Sequence, residues 1–338
     1  MDAERVSKAT RGATTVARPV AFALLLAAFA AAAGARVPAT GMADPPQATP
    51  VAHVPPVPLL WQVSDADSSL YLLGSFHLLK RGDYPLSSDV QLAFDAADEV
   101  VFEVAPEQLD GPTTQQRFMA AAAHDDGRTL SEVLSPELRS ALDRLLAQQG
   151  GSVRQVDAYE PWFVNLSLVL GLSQSLDFRP ELGLDRHLMD LAAQRGKRVA
   201  GLETFDDQLD ALDASPMSEQ VEGLADFVEQ LDEMPGKLSD LHQAWRDGNL
   251  EVLDAMTRVE MKEKTPQTYR LVNVRRNQAW LPRLQSMLDD RQEGEVMVVV
   301  GALHLLGDDG LVEQLRGRGY EVERVCSACR EAGPLPAE

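Results

Sequence analysis

Apolar positions follow two rhythms along this chain. Short, nearly continuous apolar runs predict buried strands at SLYLLGSFHLL (69–79), EVVFEVA (99–105), RVAGLE (198–203), EVMVVVGALHLL (295–306) and YEVERV (320–325). Helical spacing marks SSDVQLAFDAAD (87–98), GLDRHLMDLAAQRGK (183–197) and DDGLVEQLRGRG (308–319). In the second of these, Leu184, Leu188 and Leu191 share one face and Gly196 is the stop. SPELRSALDRLLAQQG (135–150) has Ser135 as N-cap, Pro136 in the first turn and Gly150 as stop, and 217–234, 238–260 and 266–290 are long 3.6-period patterns. Alternating strands and helices predict an α/β fold, a central mixed sheet with helical insertions over about 106–182 and 205–290.

Two stretches look like one unit used twice. Each is an apolar strand running into G-x-x-H, then a helix, then a second strand; the motifs are Gly74 to His77 and Gly301 to His304. A glycine there is expected to let the chain turn sharply after the strand. Ligands of open α/β sheets bind outside the carboxyl ends of the strands. That rule collects His77, His304, Glu103 near the end of EVVFEVA, and Glu203 at the end of RVAGLE.

The ends of the chain read differently. Arg5, Lys8, Arg11 and Arg18 precede the apolar run PVAFALLLAAFAAAA and the small residues Ala33, Gly34 and Ala35, the layout of a secretory signal peptide over 1–35. The run is shorter than the roughly 20 residues a spanning helix needs; left uncleaved, it would tether the chain to a membrane. Residues 36–58 are rich in Pro and Ala and read as a linker, with His53 a solvated bystander. The folded part is expected over 59–330 with a tail at 331–338, in an exported protein, periplasmic or secreted.

Charge narrows the partners. Lys+Arg number 31 against 52 Asp+Glu, a net charge of -21, with no basic run, so nucleic-acid binding is not expected. The patterns H-E-x-x-H, G-x-S-x-G, G-x-x-x-x-G-K-[ST] and G-x-G-x-x-G after a strand are missing, which disfavours zincins, α/β-hydrolases, P-loop enzymes and dinucleotide-binding dehydrogenases.

Two imidazoles and a carboxylate suit a divalent metal with one position open for water, which the metal would acidify for attack on an amide or ester. The plainer alternative is that His77 and His304 cap helices or bond backbone carbonyls. Glu103, inside VVFEV, needs a cationic partner, a metal or Arg276. Arg276 and Asn277 begin an amphipathic helix; the guanidinium could meet a substrate carboxylate or oxyanion, or make a surface salt bridge. Glu203 could act as general base or support a ligand, or serve only the start of the next helix. His124, His187 and His242 have polar neighbours and are expected at the surface. Cys326 and Cys329, the only cysteines, form a C-x-x-C expected to close a local disulfide; redox catalysis would want a helix to follow, and EAGPLPAE does not promise one.

LLGSFHLL, VFEVAP, GLDRHLMDLAAQRGKRVAGLET with Gln208 after it, RRNQAWLPRL and VVVGALHLLGDDGLVEQLRGRGYEVERV together resemble the TraB/GumN family, which includes the Tiki metalloproteases. The resemblance runs from about Leu70 to Val325 and is most specific at its ends. It implies a fold similar to the erythromycin-esterase-like and ChaN-like proteins, and a peptidase site with manganese or cobalt favoured and zinc possible. Carried over by position, His77, Glu103 and His304 would hold the metal, and Glu203, Arg276 and Asn277 would complete the catalytic set, acting on a peptide or protein substrate. Two other classes stay open: a non-catalytic binding or polysaccharide-export accessory protein, and a metal-independent esterase.

Overall fold

The computed structural model describes residues 54–331 except 112 and 290–293; the signal-peptide reading, most of the linker and residues 332–338 lie outside them. Six strands form one mixed sheet: β1 (Leu60–Ser64), β2 (Ser69–Ser75), β3 (Ala97–Val104), β4 (Arg198–Glu203), β5 (Glu295–Gly301) and β6 (Glu321–Arg324). Their order is β4-β3-β5-β2-β1-β6. β4, β3, β5 and β2 are mutually parallel, while β1 runs antiparallel to both β2 and β6. This is the α/β architecture expected, with a mixed sheet and many helices between its strands.

Burial follows position in the sheet. In β5 every residue after Glu295 is buried, and β2 and β3 are buried through their last four and five residues, as strands covered on both faces should be. The outer strands β4 and β6 are only partly buried. β1 was not apparent in the sequence pattern. Its five residues follow a proline-rich stretch, and it is fixed by pairing with β2 in the register Leu60 to Leu73.

Helix limits obey local chemistry. Ser135 Oγ accepts from Leu138 N at 3.1 Å at the head of Pro136–Gln148. Leu184–Arg195 ends at Gly196, whose φ of 64° is the left-handed cap that glycine takes without strain. Two π-helical segments, Ala255–Val259 and Arg270–Arg275, interrupt the second helical insertion. Each inserts an extra residue per turn and so rotates the side chains after it; such bulges gather at functional sites. The second leads directly into Arg276–Asp289, the helix that carries Arg276 and Asn277.

At the other end, Cys326 and Cys329 are disulfide-bonded as expected. The expectation that the pair does not stand at a helix N-terminus is corrected: Cys326 immediately precedes the short helix Ser327–Glu331, which contains Cys329, its first N–H and the Ser327 hydroxyl both held by Asp89 at 2.6 and 2.7 Å. Sequence could not supply that partner, which lies 238 residues earlier.

Candidate active site

β2 and β5 are parallel neighbours in the register Ser75 to Gly301, so the two G-x-x-H turns leave the sheet side by side. β3 and β4, also parallel, bring Glu103 and Glu203 to the same carboxyl edge. The strand-end rule therefore collects the four groups as anticipated. The glycines serve a different purpose from the one expected. Gly301 has φ of -52° and Gly74 is not left-handed either; neither needs conformational freedom. Space is what they provide: a Cβ on Gly301 would stand 3.3 Å from both Glu103 Oε1 and His77 Nε2, and one on Gly74 would stand 3.2 Å from the Leu59 Cβ.

Each histidine is oriented through Nδ1. His77 Nδ1 lies 2.5 Å from Asp185 Oδ2, and both groups are buried. Burial pushes the imidazole pKa down, but the Asp185 carboxylate outweighs it and holds His77 above its ordinary value. His304 Nδ1 is 2.7 Å from Asn277 Oδ1. The Asn277 amide nitrogen donates to the carbonyls of His304 and Asp309, which leaves its oxygen to accept and places the His304 proton on Nδ1. His304 Nε2 then accepts from Arg276 Nη1 at 3.2 Å. Burial and the arginine together push His304 down to about 3, so it is neutral at ordinary pH.

Glu103 is the centre of the polar cluster. Oε1 accepts from Gly301 N at 2.6 Å; Oε2 accepts from Gln208 Nε2 at 2.9 Å and Arg276 Nη2 at 2.6 Å. Burial alone would raise this carboxyl, but Arg276, both histidines and the Gly301 N–H hold it at about 2. The cation that Glu103 required is thus Arg276. The same guanidinium forks onto Glu203, with Nη2 2.6 Å and Nε 3.0 Å from Oε1, and Nη1 reaches Val272 O at 3.0 Å. Trp280 closes the arrangement: its indole N–H donates to Glu203 Oε2 at 3.0 Å and its ring lies 4.7 Å from the guanidinium carbon.

A cavity of about 40 Å³ opens beside these groups, lined by Ser75, His77, Glu103, Gly301 and His304 and walled by Phe76, Leu241, Leu253, Thr257, Leu303 and Leu306. It has room for a small ion or a few waters. The Ser75 hydroxyl in its wall is buried without a hydrogen-bond partner. Arg276 and Glu203 do not line it; they form the support behind Glu103.

The donor set has the right chemistry for a divalent metal: two imidazoles with Nδ1 anchored and one ionised carboxylate, the anchors being of the kind that orient metal-ligating histidines. As they stand, no three such groups among the described residues converge closely enough to hold an ion. An ion here would have to take the His304 Nε2 lone pair from Arg276.

Sequence reasoning missed Asp185, Ser75 and Gly183, and gave Gln208 no role. Gly183 precedes the helix that carries Asp185, and its Cα packs so tightly on His77 that a Cβ would lie 2.3 Å from His77 O. The surface placement of the other histidines is corrected as well. His242 is buried, its Nε2 2.9 Å from Asp83; the His124 side chain is 2% exposed; His187 is half-buried against the Tyr84 ring, centroids 4.2 Å apart. The partners of His242 and His187 are remote in sequence, Asp83 and the Tyr84 ring, which neighbouring polar residues do not reveal.

The uncharacterized YbaP proteins of Escherichia coli K12 and of Shigella flexneri are each 25% identical over 246 residues, spanning 73% of this chain and 87% of the relative. No solved structure matches the chain. The sequence model of the TraB/PrgY/gumN family matches residues 59–324, from the first strand to the last, and the chain belongs to that family.

Proposed function

We propose that the protein is a hydrolase of peptide bonds that works from the cavity between His77, Glu103 and His304, with a divalent metal, manganese or cobalt before zinc, as its cofactor. The observation that carries this reading is the pair of anchored imidazoles: Asp185 and Asn277 fix the Nδ1 sides of His77 and His304 on either side of an ionised Glu103. His77, Glu103 and His304 would hold the metal, which when bound acidifies water and polarises a carbonyl. Gln208 and the Gly301 N–H keep Glu103 aimed. The Ser75 hydroxyl is available to orient water or substrate at the cavity wall. Arg276 balances the buried negative charge from behind Glu103 and holds the Nε2 side of His304. Glu203 has both oxygens committed to Arg276 and Trp280, so its role is to position the arginine rather than to activate water. Export to the periplasm or beyond belongs to the same proposal and rests on residues 1–35.

A second reading is favoured by the Arg276 contact to His304 Nε2 at 3.2 Å. In it the site works without metal, His77 backed by Asp185 acting as general base on an ester or amide. One experiment separates the two. Manganese, cobalt and zinc are titrated into the protein and into a His77→Ala/His304→Ala variant, and peptide and ester libraries are assayed with and without chelator. Manganese or cobalt binding lost in the variant, with chelator-sensitive peptide cleavage, supports the first reading. Chelator-resistant ester hydrolysis that needs His77 supports the second. No His77-dependent hydrolysis of either library would sink both.

A further inference from the structure

Away from this site, the strands of contact that hold the first helical insertion together contain an unexplained histidine. His124 N donates to Ala158 O at 3.1 Å and Glu160 N to Ala122 O at 2.8 Å, pinning two short segments antiparallel around the bridge between Ala123 and Tyr159. The His124 side chain is 98% buried by its 2% exposure, yet neither ring nitrogen has a hydrogen-bond partner. A buried polar group left so is destabilising unless something meets it. Nδ1 faces Glu160 Oε1 at 3.9 Å.

Glu160 is held for that encounter. Gln220 accepts from Trp162 N at 3.3 Å and donates to Ser215 O at 2.9 Å and to Glu160 Oε2 at 2.7 Å, so Oε1 is the oxygen left toward His124. Asp125 and Asp213, both exposed, stand near enough to Glu160 for their charges to act on it. Burial and the charges of Asp213, Asp125 and Asp126 raise the Glu160 carboxyl, and Asp125 in turn raises Asp213 after burial. Among the described residues no lysine or arginine is ion-paired with Glu160, Asp125 or Asp213; Asp126 alone has Arg128, at 2.6 Å. Negative charge accumulates here beside an imidazole with no hydrogen-bond partner, and among the described residues only Asp126 has a basic side chain paired with it.

We propose that His124 and Glu160 are the fixed half of a second divalent-cation site, completed by the carboxylates of Asp213 and Asp125, which the ion would draw in from the surface. The three-donor convergence that is missing among the described residues is supplied by these two exposed side chains on binding. One imidazole with several carboxylate oxygens suits zinc or a similar borderline ion and disfavours calcium and magnesium, which take oxygen ligands. The ion would bolt the turn at 124–126 to the start of Pro161–Ser175 and the end of Phe205–Asp213. The site shares no residue with the His77 cluster and does not depend on the function proposed for it.

The test uses the full chain carrying His77→Ala/His304→Ala, which leaves one candidate site. Zinc chloride should bind this protein with one-to-one stoichiometry by calorimetry and raise its melting midpoint by about 5 °C at a hundredfold excess over the dissociation constant, while calcium chloride does neither. Adding His124→Ala or, as the gentler change, Glu160→Gln should abolish binding and shift, with melting in EDTA serving as the check that each variant is folded. Absence of zinc binding in the double variant, or zinc binding that survives both added substitutions, overturns the proposal.

Discussion

His77 and Asp185 stand 108 residues apart in sequence and 2.5 Å apart in the fold, an imidazole nitrogen against a carboxylate oxygen with both groups buried. The contact exists because Leu184 N donates to Phe76 O at 3.1 Å, seating the first turn of one helix on the G-x-x-H turn beside it. Asp185 therefore controls which face of His77 looks into the cavity.

Replacing Asp185 by Asn tests that control. The amide keeps size and one acceptor but loses the charge. On the metal reading, manganese or cobalt affinity should fall by about 10–100-fold, the usual loss when the partner of a ligating histidine is removed. Calorimetry on the two proteins measures it; equal affinities would show that Asp185 serves packing alone. On the metal-free reading, hydrolysis falls instead and metal binding is absent from both.

Gly183→Ala should damage the same region sterically. Its Cβ would stand 2.3 Å from a backbone oxygen that no rotamer change can move. A loss of about 1–3 kcal/mol is expected from forced backbone displacement. Gly236, in the helix Met234–Arg246 with nothing within 4 Å of a Cβ, is the control. There alanine should gain about 0.5–1 kcal/mol. Urea unfolding of both variants gives opposite signs if the packing argument is right.

Much of this arrangement could be read before the fold was known, for a physical reason. Glu103 and the G-x-x-H histidines sit in or against apolar strands, where a polar residue must be explained, and parallel strands send their ends to one edge. The charged partner of Glu103 was narrowed to a metal or Arg276 on the same grounds. What stayed hidden was whatever depends on distant pairing. Asp185 looks like any acidic residue in a first helical turn, and Gln208 meets Glu103 across 105 residues. His242 looks polar-flanked until Asp83, 159 residues away, is brought to it. The helix after Cys326 needs Asp89 to hold its first N–H. Glycine meaning was also hidden: a sequence shows that Gly301 lacks a side chain, not that Glu103 and His77 occupy the space.

Arg276 is expected to be the most sensitive single position for folding. Its guanidinium is 5% exposed and shared between two buried carboxylates and a histidine. Arg276→Met leaves Glu103 and Glu203 facing each other without a cation, at a cost of about 3–5 kcal/mol. Arg276→Lys keeps the charge but not the planar fork, so it should recover less than half of that. Adding Glu203→Gln to Arg276→Met should restore part of the stability, because one of the two stranded charges is gone. Denaturant midpoints of the three variants decide the matter. A Lys variant as stable as the parent would show that charge alone, not the bidentate geometry, holds the cluster.

Glu260 gives the chain a pH dependence of opposite sign to the usual paired carboxylate. It is buried, its Oε1 has no hydrogen bond, and the nearest cation, Lys264, lies 3.6 Å away while donating to Asp226 at 2.5 Å. Burial pushes its carboxyl up from 4.5 to about 7, against the pull of Lys264 and Lys237. Below pH 4.5 the group is protonated in both folded and unfolded chains and costs nothing. Between that value and about 7 the unfolded chain releases the proton while the folded chain keeps it, so stability falls as pH rises, and above the folded value the loss is complete. Glu260→Gln removes the proton exchange and should therefore be more stable than the parent above pH 7, by on the order of 1 kcal/mol once solvent screening is allowed for. The difference between the two proteins should shrink steadily as pH is lowered toward 4.5. Paired urea titrations across that range isolate Glu260 from every other titrating group, since all the others are common to both chains. A difference that grows on acidification would mean that Lys264 pairs with Glu260 strongly enough to hold it ionised.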